Sequence, residues 1–314
     1  MGKVLPLVCL CSARAVLKAT AGKDGYLCTS PDCIHSTPDG QFKIDNGIPV
    51  LISEDLCDTV CDSGGDQKYV ERPFRRYVGL KKLIIGESNV TKENCKKFIT
   101  ELMSENIRPK VLIIGSGEQG SGTSELWNNS NIEIHGIDIY GSTTVDVICD
   151  AHYLPLESSY YDGVWIQAVL EHVVEPTVVV QEIFRVLKSK GIVYAETPFM
   201  QQVHEGAYDF TRYTVLGHRY LFRNFESICI GGNKGPSVVF AWCCRYLAWS
   251  LTRSRLFGRV VGTVVGILVR PLEYIVADKS LYDASSGVYF LGRKSNSEHL
   301  THKDLVSLYR GQFD

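Results

Sequence analysis

Lys110-Val-Leu-Ile-Ile-Gly-Ser-Gly-Glu-Gln-Gly120 is the stretch that decides the fold. Its apolar run has the length of a buried strand, and three closely spaced glycines follow it before a polar segment that can open a helix. Glycine at such a turn permits backbone angles and a close backbone approach that a side chain would block. Alone, the pattern suits a turn that holds a dinucleotide, an adenosine-bearing cofactor or nothing. The segments around it choose between these.

Downstream, apolar stretches of strand length alternate with helical patterns. Strands are predicted over 111–115, 132–138, 145–149, 163–167 and 192–196, and the last two over 227–230 and 287–292. A short helix is predicted over 121–127. A longer one covers 177–188, with Pro176 near its first turn, basic residues in its last and Gly191 just beyond. A third runs from near Thr214 to Leu221. Upstream, Thr91 is a candidate N-cap for a helix whose Phe98, Ile99, Leu102 and Met103 form one apolar stripe, with Pro109 ending that region. Strand-helix alternation of this kind points to a doubly wound sheet.

In this order, residues Lys110 to Phe199 resemble the class I S-adenosylmethionine-dependent methyltransferases, best the branch acting on small molecules, sugars and lipids. The resemblance implies a Rossmann-like α/β fold, a mostly parallel seven-stranded sheet with helices on both faces. It implies that Gly115, Ser116, Gly117 and Gly120 lie under the methionine and ribose portions of S-adenosyl-L-methionine. Asp138, at the end of the second strand, becomes the ribose acid, since a carboxylate there can accept from both hydroxyls. Asp150 would accept from the adenine amine, Ile139 and Ala151 would form the apolar wall, and Gln167 would close the fourth strand beside the cofactor. The chain departs from the family pattern at Gln119, where the third glycine usually stands, and at Ile113, where an acid usually precedes the first. Those departures leave room for a degenerate pocket. No second glycine fingerprint marks a flavin or nicotinamide half.

Ligands on open α/β sheets sit beyond the strand C-termini, so the segment Glu196 to Thr214 faces the reacting methyl. It gathers His204, Glu205, Tyr208, Asp209, Arg212 and Tyr213. Pro198, Phe199, His204, Asp209, Phe210, Arg212 and Thr214 resemble a methyltransferase branch common in glycan and natural-product clusters. Histidine can take a proton near neutral pH and a carboxylate can hold its tautomer, so His204, Asp209 and the alternative His172, next to Glu171, are the catalytic candidates. The structural alternative has Asp209 capping the next helix and Arg212 pairing with Asp209 or Glu205. Neither histidine stands in a metal-ligand pattern.

Residues 1–52 form a separate small cysteine-containing β ribbon. Cys9, Cys11, Cys28 and Cys33 can place four thiolates around one zinc, with His35 as a substitute ligand; the alternative is a ribbon of ordinary cysteines. So small a module would gain part of its folding free energy from the metal. Residues 42–52 form a hairpin turning at Asn46-Gly47, with Pro49 suited to an edge strand. Residues 53–90 are a linker or helical region, in which Cys57 and Cys61 are core cysteines or spare ligands. Residues 91–314 are the main domain.

A helical insert, 235–284, separates the last two strands. Between 236 and 272 it is nearly all apolar, with arginines at 245, 253, 255, 259 and 270 and no acid. Neither half reaches the ~20 apolar residues of a membrane span. Such helices suit a bilayer surface, a lid over a lipophilic tail, or a packed cap or homodimer interface. Tyr274, Asp278, Leu281 and Tyr282 would then return the chain toward the pocket.

A net charge of -2 gives no whole-protein attraction to a polyanion, which argues against nucleic acid. Eleven thinly spread cysteines and no leader pattern suggest a reducing, cytoplasmic setting, peripheral to a membrane if the insert touches one. The expected activity is methylation of a small-molecule, glycosyl or lipid-linked acceptor in a biosynthetic pathway, at oxygen before nitrogen or carbon. Two rivals stand beside it. One is a tRNA or protein methyltransferase recruiting through the ribbon, which resembles a small zinc-binding activator of such enzymes; Arg75, Arg76, Lys81 and Lys82 are its basic cluster. The other is a non-catalytic scaffold with a degenerate site.

Overall fold

The computed structural model describes residues 3–22, 24–61, 89–295 and 300–313. The turn sequence at 62–66 and the basic cluster at 75–82 lie outside them. Seven strands form the central sheet: β5 (Lys110–Ile114), β6 (Glu133–Asp138), β7 (Val147–Ile148), β8 (Tyr161–Gln167), β9 (Leu187–Pro198), β10 (Phe225–Gly232) and β11 (Gly287–Lys294). Their order is β10-β11-β9-β8-β5-β6-β7. β5 to β9 run parallel, while β11 is antiparallel to β9 and to β10. The chain builds outward from β5 through β6 to β7, then returns to β8 on the other side of β5, so a crevice opens at the C-terminal ends of β5, β6 and β8.

The continuous apolar run of β5 is explained by burial on both faces. Leu112 and Ile114 join one core with Val179, Ile183 and Val186 of α3 (Pro176–Val186), whereas Val111 and Ile113 join the other with Phe98 and Leu102 of α1 (Asn89–Glu105). Helix α2 (Ser124–Trp127) is shorter than expected. α4 (Val215–Leu221) is capped by Thr214, whose side chain accepts from the Gly217 amide.

Two further helix boundaries differ from the sequence reading. α1 starts at Asn89, so Thr91 is inside it and its hydroxyl donates to Glu196 (2.9 Å) instead of capping. α3 stops at Val186, and residues 188–191 are absorbed by a bulge, since Tyr161 pairs with Leu187 but Gly163 with Ile192. Gly191 is therefore in a strand and caps nothing.

The ribbon is a second, antiparallel sheet of β1 (Leu17–Ala19), β2 (Gly25–Cys28), β3 (Phe42–Asp45) and β4 (Ile48–Pro49). Asn46 and Gly47 both have positive φ (46° and 83°), as a two-residue hairpin turn of the primed type requires. The ribbon is fastened to the larger sheet. Val50 continues from β4 as a parallel bridge to Ile148, with Leu51 N donating to Ile148 O (2.8 Å), and Val8 N donates to Pro155 O (3.0 Å). Leu7, Cys9, Phe42 and Leu51 belong to the same core as Leu112 and Ile114.

The insert is a helical hairpin, α5 (Pro236–Thr252) and α6 (Arg255–Val269), followed by a short 3-10 turn and α7 (Asp278–Ala284). A final helix, α8 (His302–Ser307), carries a Thr301–Asp304 capping box.

Candidate active site

Gly115 has φ +79°, which lets its own amide and that of Ser116 both turn back to Ile137 O (2.9 and 3.0 Å). The Ser116 hydroxyl is buried and donates to Thr144 O (3.1 Å), so only its backbone faces the crevice. Asp138 sits across the two strand ends: one carboxylate oxygen accepts from Gly117 N and the other from Ile139 N, each at 2.7 Å. Three side chains close over the glycines. Tyr140 packs so near Gly117 that an added Cβ would meet its ring at 2.5 Å, Gln167 lies on Gly120, and Val169 lies on Gly115. The half-buried Tyr140 ring thus covers the loop beside Asp138.

Asp150 and Ala151 are buried beside this crevice at the end of β7. Asp150 accepts from the His152 amide (2.9 Å) and His152 Nδ1 (2.6 Å) on one oxygen and from the Thr59 hydroxyl on the other. Burial pushes its carboxyl up, but these hydrogen bonds outweigh that and hold it below the usual range. Three acceptor positions are in use, leaving one for an amine. Thr59 and His152 were not legible as site residues from sequence.

The second half of the site follows β8 and β9. A 3-10 turn, Leu170–His172, puts Glu171 and His172 on the same side, and the loop after β9 brings His204 against them. The two imidazole centroids are 4.9 Å apart. His172 Nδ1 is 2.6 Å from Tyr208 O, and His204 Nδ1 is 3.2 Å from an Asp209 oxygen. Asp209 is in turn clamped by both guanidinium nitrogens of Arg212 and accepts from His204 N (2.9 Å). Burial acts to raise Asp209, but the Arg212 hydrogen bonds prevail and bring it down to about 2. Thus Arg212 pairs with Asp209, as the structural alternative had it, while the cap of α4 is Thr214 and not Asp209. Tyr213 packs on the core, away from the cluster.

Glu171 is the residue the sequence reading missed. It is wholly buried, and neither carboxylate oxygen has a hydrogen-bond partner among the described residues. Burial pushes it up to about 8. The Glu171-His172 dipeptide was visible, but neither the burial of Glu171 nor the approach of His204 from the loop after β9 carries a local sequence signal.

Cys9, Cys11, Cys28 and Cys33 converge, with all four Sγ atoms within 4.8 Å of one another. The Cys9–Cys33 and Cys11–Cys28 separations are 3.6 and 3.9 Å. Thiolates ~2.3 Å from a tetrahedral zinc stand about 3.8 Å apart, so the set fits that ion. Ser30 N and His35 N donate to Cys28 and Cys33 sulfur (both 3.4 Å), the outer bonds such a site needs. His35 is no substitute ligand: its ring nitrogens lie 2.5 Å from Gly40 O and 2.7 Å from Ser53 Oγ. Cys61 is a core residue and Cys57 is half-buried outside the cluster.

Residues 112–195 match the profile of a methyltransferase domain. No curated protein matches the chain. Among solved structures, an S-adenosylmethionine-dependent methyltransferase from Archaeoglobus fulgidus aligns at 19% identity over 70% of this chain and 100% of its own, with a TM-score of 0.43. Geranyl diphosphate C-methyltransferase from Streptomyces coelicolor aligns at 10% identity over 65% and 76%, TM-score 0.43. Phosphoethanolamine N-methyltransferase 2 from Haemonchus contortus aligns at 15% identity over 73% and 60%, TM-score 0.43. Likenesses this distant carry no argument about acceptor or partner.

Proposed function

We propose that the chain, whose residues 112–195 match a methyltransferase-domain profile, is a class I S-adenosylmethionine-dependent methyltransferase that methylates an oxygen of a small, glycosyl or lipid-linked acceptor. When bound, the cofactor supplies an electrophilic sulfonium methyl. Gly115, Ser116, Gly117 and Gly120 would carry its methionine and ribose through the backbone, Asp138 would accept from the ribose hydroxyls, and Asp150, with Ile139 and Ala151, would hold adenine. Gln167 lines the same crevice. For Asp138 to serve, its bond to Gly117 N must be shared or exchanged, as one carboxylate has acceptor capacity for both.

The observation that carries this reading is the pair of oriented imidazoles, His172, three residues beyond the Val169 that rests on Gly115, and His204 packed against it. His172 Nδ1 donates to Tyr208 O, which leaves its Nε2 with the lone pair, and the Asp209 carboxylate 3.2 Å from His204 Nδ1 favours the same tautomer there. His204 would take the acceptor's hydroxyl proton as the oxygen attacks the methyl in line, with Asp209 holding the tautomer and Arg212 holding Asp209. His172 stands beside it as the second contact to the acceptor. His204→Ala is expected to lower kcat by about 10²–10⁴ while affinity for S-adenosylhomocysteine stays within twofold. Equal loss of both, or of neither, would remove His204 from the chemistry.

A lipid-linked acceptor gains support from the insert. Tyr246 of α5 donates to Val203 O (3.0 Å), next to His204, and Gln202 reaches Cys243. The hairpin's outward face is apolar and arginine-studded, the composition of a helix pair lying in an anionic bilayer surface. For the ribbon we propose one zinc at the four thiolates with a structural role. The macromolecular rival loses ground here, because one face of the ribbon is buried on the body and cannot swing out to recruit.

A further inference from the structure

We infer that Glu171, His172 and His204 are the ligands of a divalent transition-metal ion, of the zinc, manganese or iron(II) class, with an open coordination position turned toward the acceptor. Their donor atoms lie within 4.8 Å of one another. Glu171 Oε1 is 3.6 Å from His172 Nε2 and 3.9 Å from His204 Nε2. Donors about 2.1 Å from one ion stand roughly 3.0–3.4 Å apart, so shifts well under an ångström bring Glu171 to ligand spacing from each histidine.

The surroundings of both imidazoles favour the tautomer a metal needs. Tyr208 O can only accept, so His172 Nδ1 carries the proton and Nε2 is bare. Asp209, held as a carboxylate by Arg212, lies 3.2 Å from His204 Nδ1 and draws the proton to that nitrogen. A ligating histidine that donates its other nitrogen to a carbonyl or carboxylate is the usual outer arrangement around a bound ion.

Glu171 supplies the second, independent observation. Its side chain is 0% exposed and both oxygens lack hydrogen-bond partners among the described residues, a costly state that a cation would relieve. An oxygen of Glu205 is buried nearby and also lacks a hydrogen-bond partner among the described residues. The charges facing the cluster are negative on balance: Asp209, Glu205 and Glu196 against Arg212. Two imidazoles and one carboxylate favour transition ions over magnesium or calcium, which prefer oxygen. Three protein ligands leave at least one position open. That the open position binds an acceptor hydroxyl rests on the proposed function, and with the ion bound His204 Nε2 is a ligand and not the base, the ion then acidifying that hydroxyl in its place; the ion site itself does not rest on that reading.

The full chain, dialysed against excess zinc and then buffer, is to be assayed for total zinc, manganese and iron by mass spectrometry, beside Glu171→Gln and His204→Ala. The wild type is expected to hold one more ion per chain than either variant, whatever the ribbon holds. Equal content in all three overturns the inference. His204 is partly exposed, so its variant remains informative if Glu171→Gln does not fold. Calorimetry with S-adenosylhomocysteine on the same samples separates the two readings. Cofactor binding with equal metal content sinks the ion site alone; the extra ion without cofactor binding sinks the proposed function alone.

Discussion

His218 lies fully enclosed on α4, with Nε2 3.1 Å from the Thr197 hydroxyl and Nδ1 lacking a hydrogen-bond partner among the described residues. Burial lowers it to about 3, whereas an unfolded histidine titrates near 6.5. The folded form therefore refuses a proton that the unfolded chain accepts. Its contribution is complete above about pH 6.5 and is lost as pH falls toward 3, by at most ~1.4 kcal/mol per pH unit. Urea midpoints between pH 7 and 4 should fall more steeply for the wild type than for His218→Asn; parallel curves would contradict this. At this scale the sequence spoke unevenly. The placement of Asp138 and Gly115 at neighbouring strand ends was legible because a strand end followed by a tight turn has a local pattern. Glu171 and Thr59 were not, since their positions depend on a 3-10 turn and on a contact ninety residues away. His35 was misjudged for the same reason: its partners Gly40 and Ser53 are set by the ribbon's fold.

Among the elements, the α5–α6 hairpin is the least explained by the core. Gly258, Gly262 and Gly266 recur every four residues and form its seam: an added Cβ at Gly262 would meet Arg245 Cβ at 2.7 Å. Small residues in that register let helix backbones approach closely. The cost is exposure, as only Gly258 of α6 is buried while Leu256, Val260, Val264 and Leu268 face outward. No helix among the described residues is long and apolar enough to cross a membrane. Flotation is expected with vesicles containing anionic lipid, and Arg255→Glu with Arg259→Glu should abolish it. A chain that stays unfloated and instead dimerises through this face would assign the patch to a second copy. The insert's existence and limits were readable from its unbroken apolar composition. The way it turns back was not: Tyr274 is exposed, and Tyr282 reaches Leu308 O near the chain end and not the pocket. Strands were easier to place than helix ends, because burial on both sheet faces imposes continuous apolar runs, whereas the early stop of α3 comes from the bulge paired with β8.

Over the whole molecule, the ribbon and the cofactor crevice are joined by one segment. His35 holds Ser53, Leu51 bonds the edge strand β7, and Thr59 bonds Asp150. The zinc proposed for the four thiolates would, by ordering Cys33 and His35, act on the side of the crevice proposed for adenine. Cys11→Ser or Cys33→Ser should lower the melting temperature and weaken S-adenosylhomocysteine roughly five- to tenfold, the size of one lost hydrogen bond of about 1 kcal/mol. Unchanged affinity in a chain that has lost its zinc would break that link. The ribbon itself was visible as a separate cysteine-bearing stretch, but not its docking, since bridges such as Val50 to Ile148 span chain distances that no local pattern encodes. The central claim, an adenosine crevice built on Asp138 and the 115–120 loop, is tested most directly by calorimetric titration of S-adenosylhomocysteine into wild type and Asp138→Ala. One site per chain is expected, weakened at least about tenfold in the variant, as for a charged hydrogen-bond partner worth roughly 1.5–3 kcal/mol. No heat with the wild type, or equal affinity in both, would contradict it.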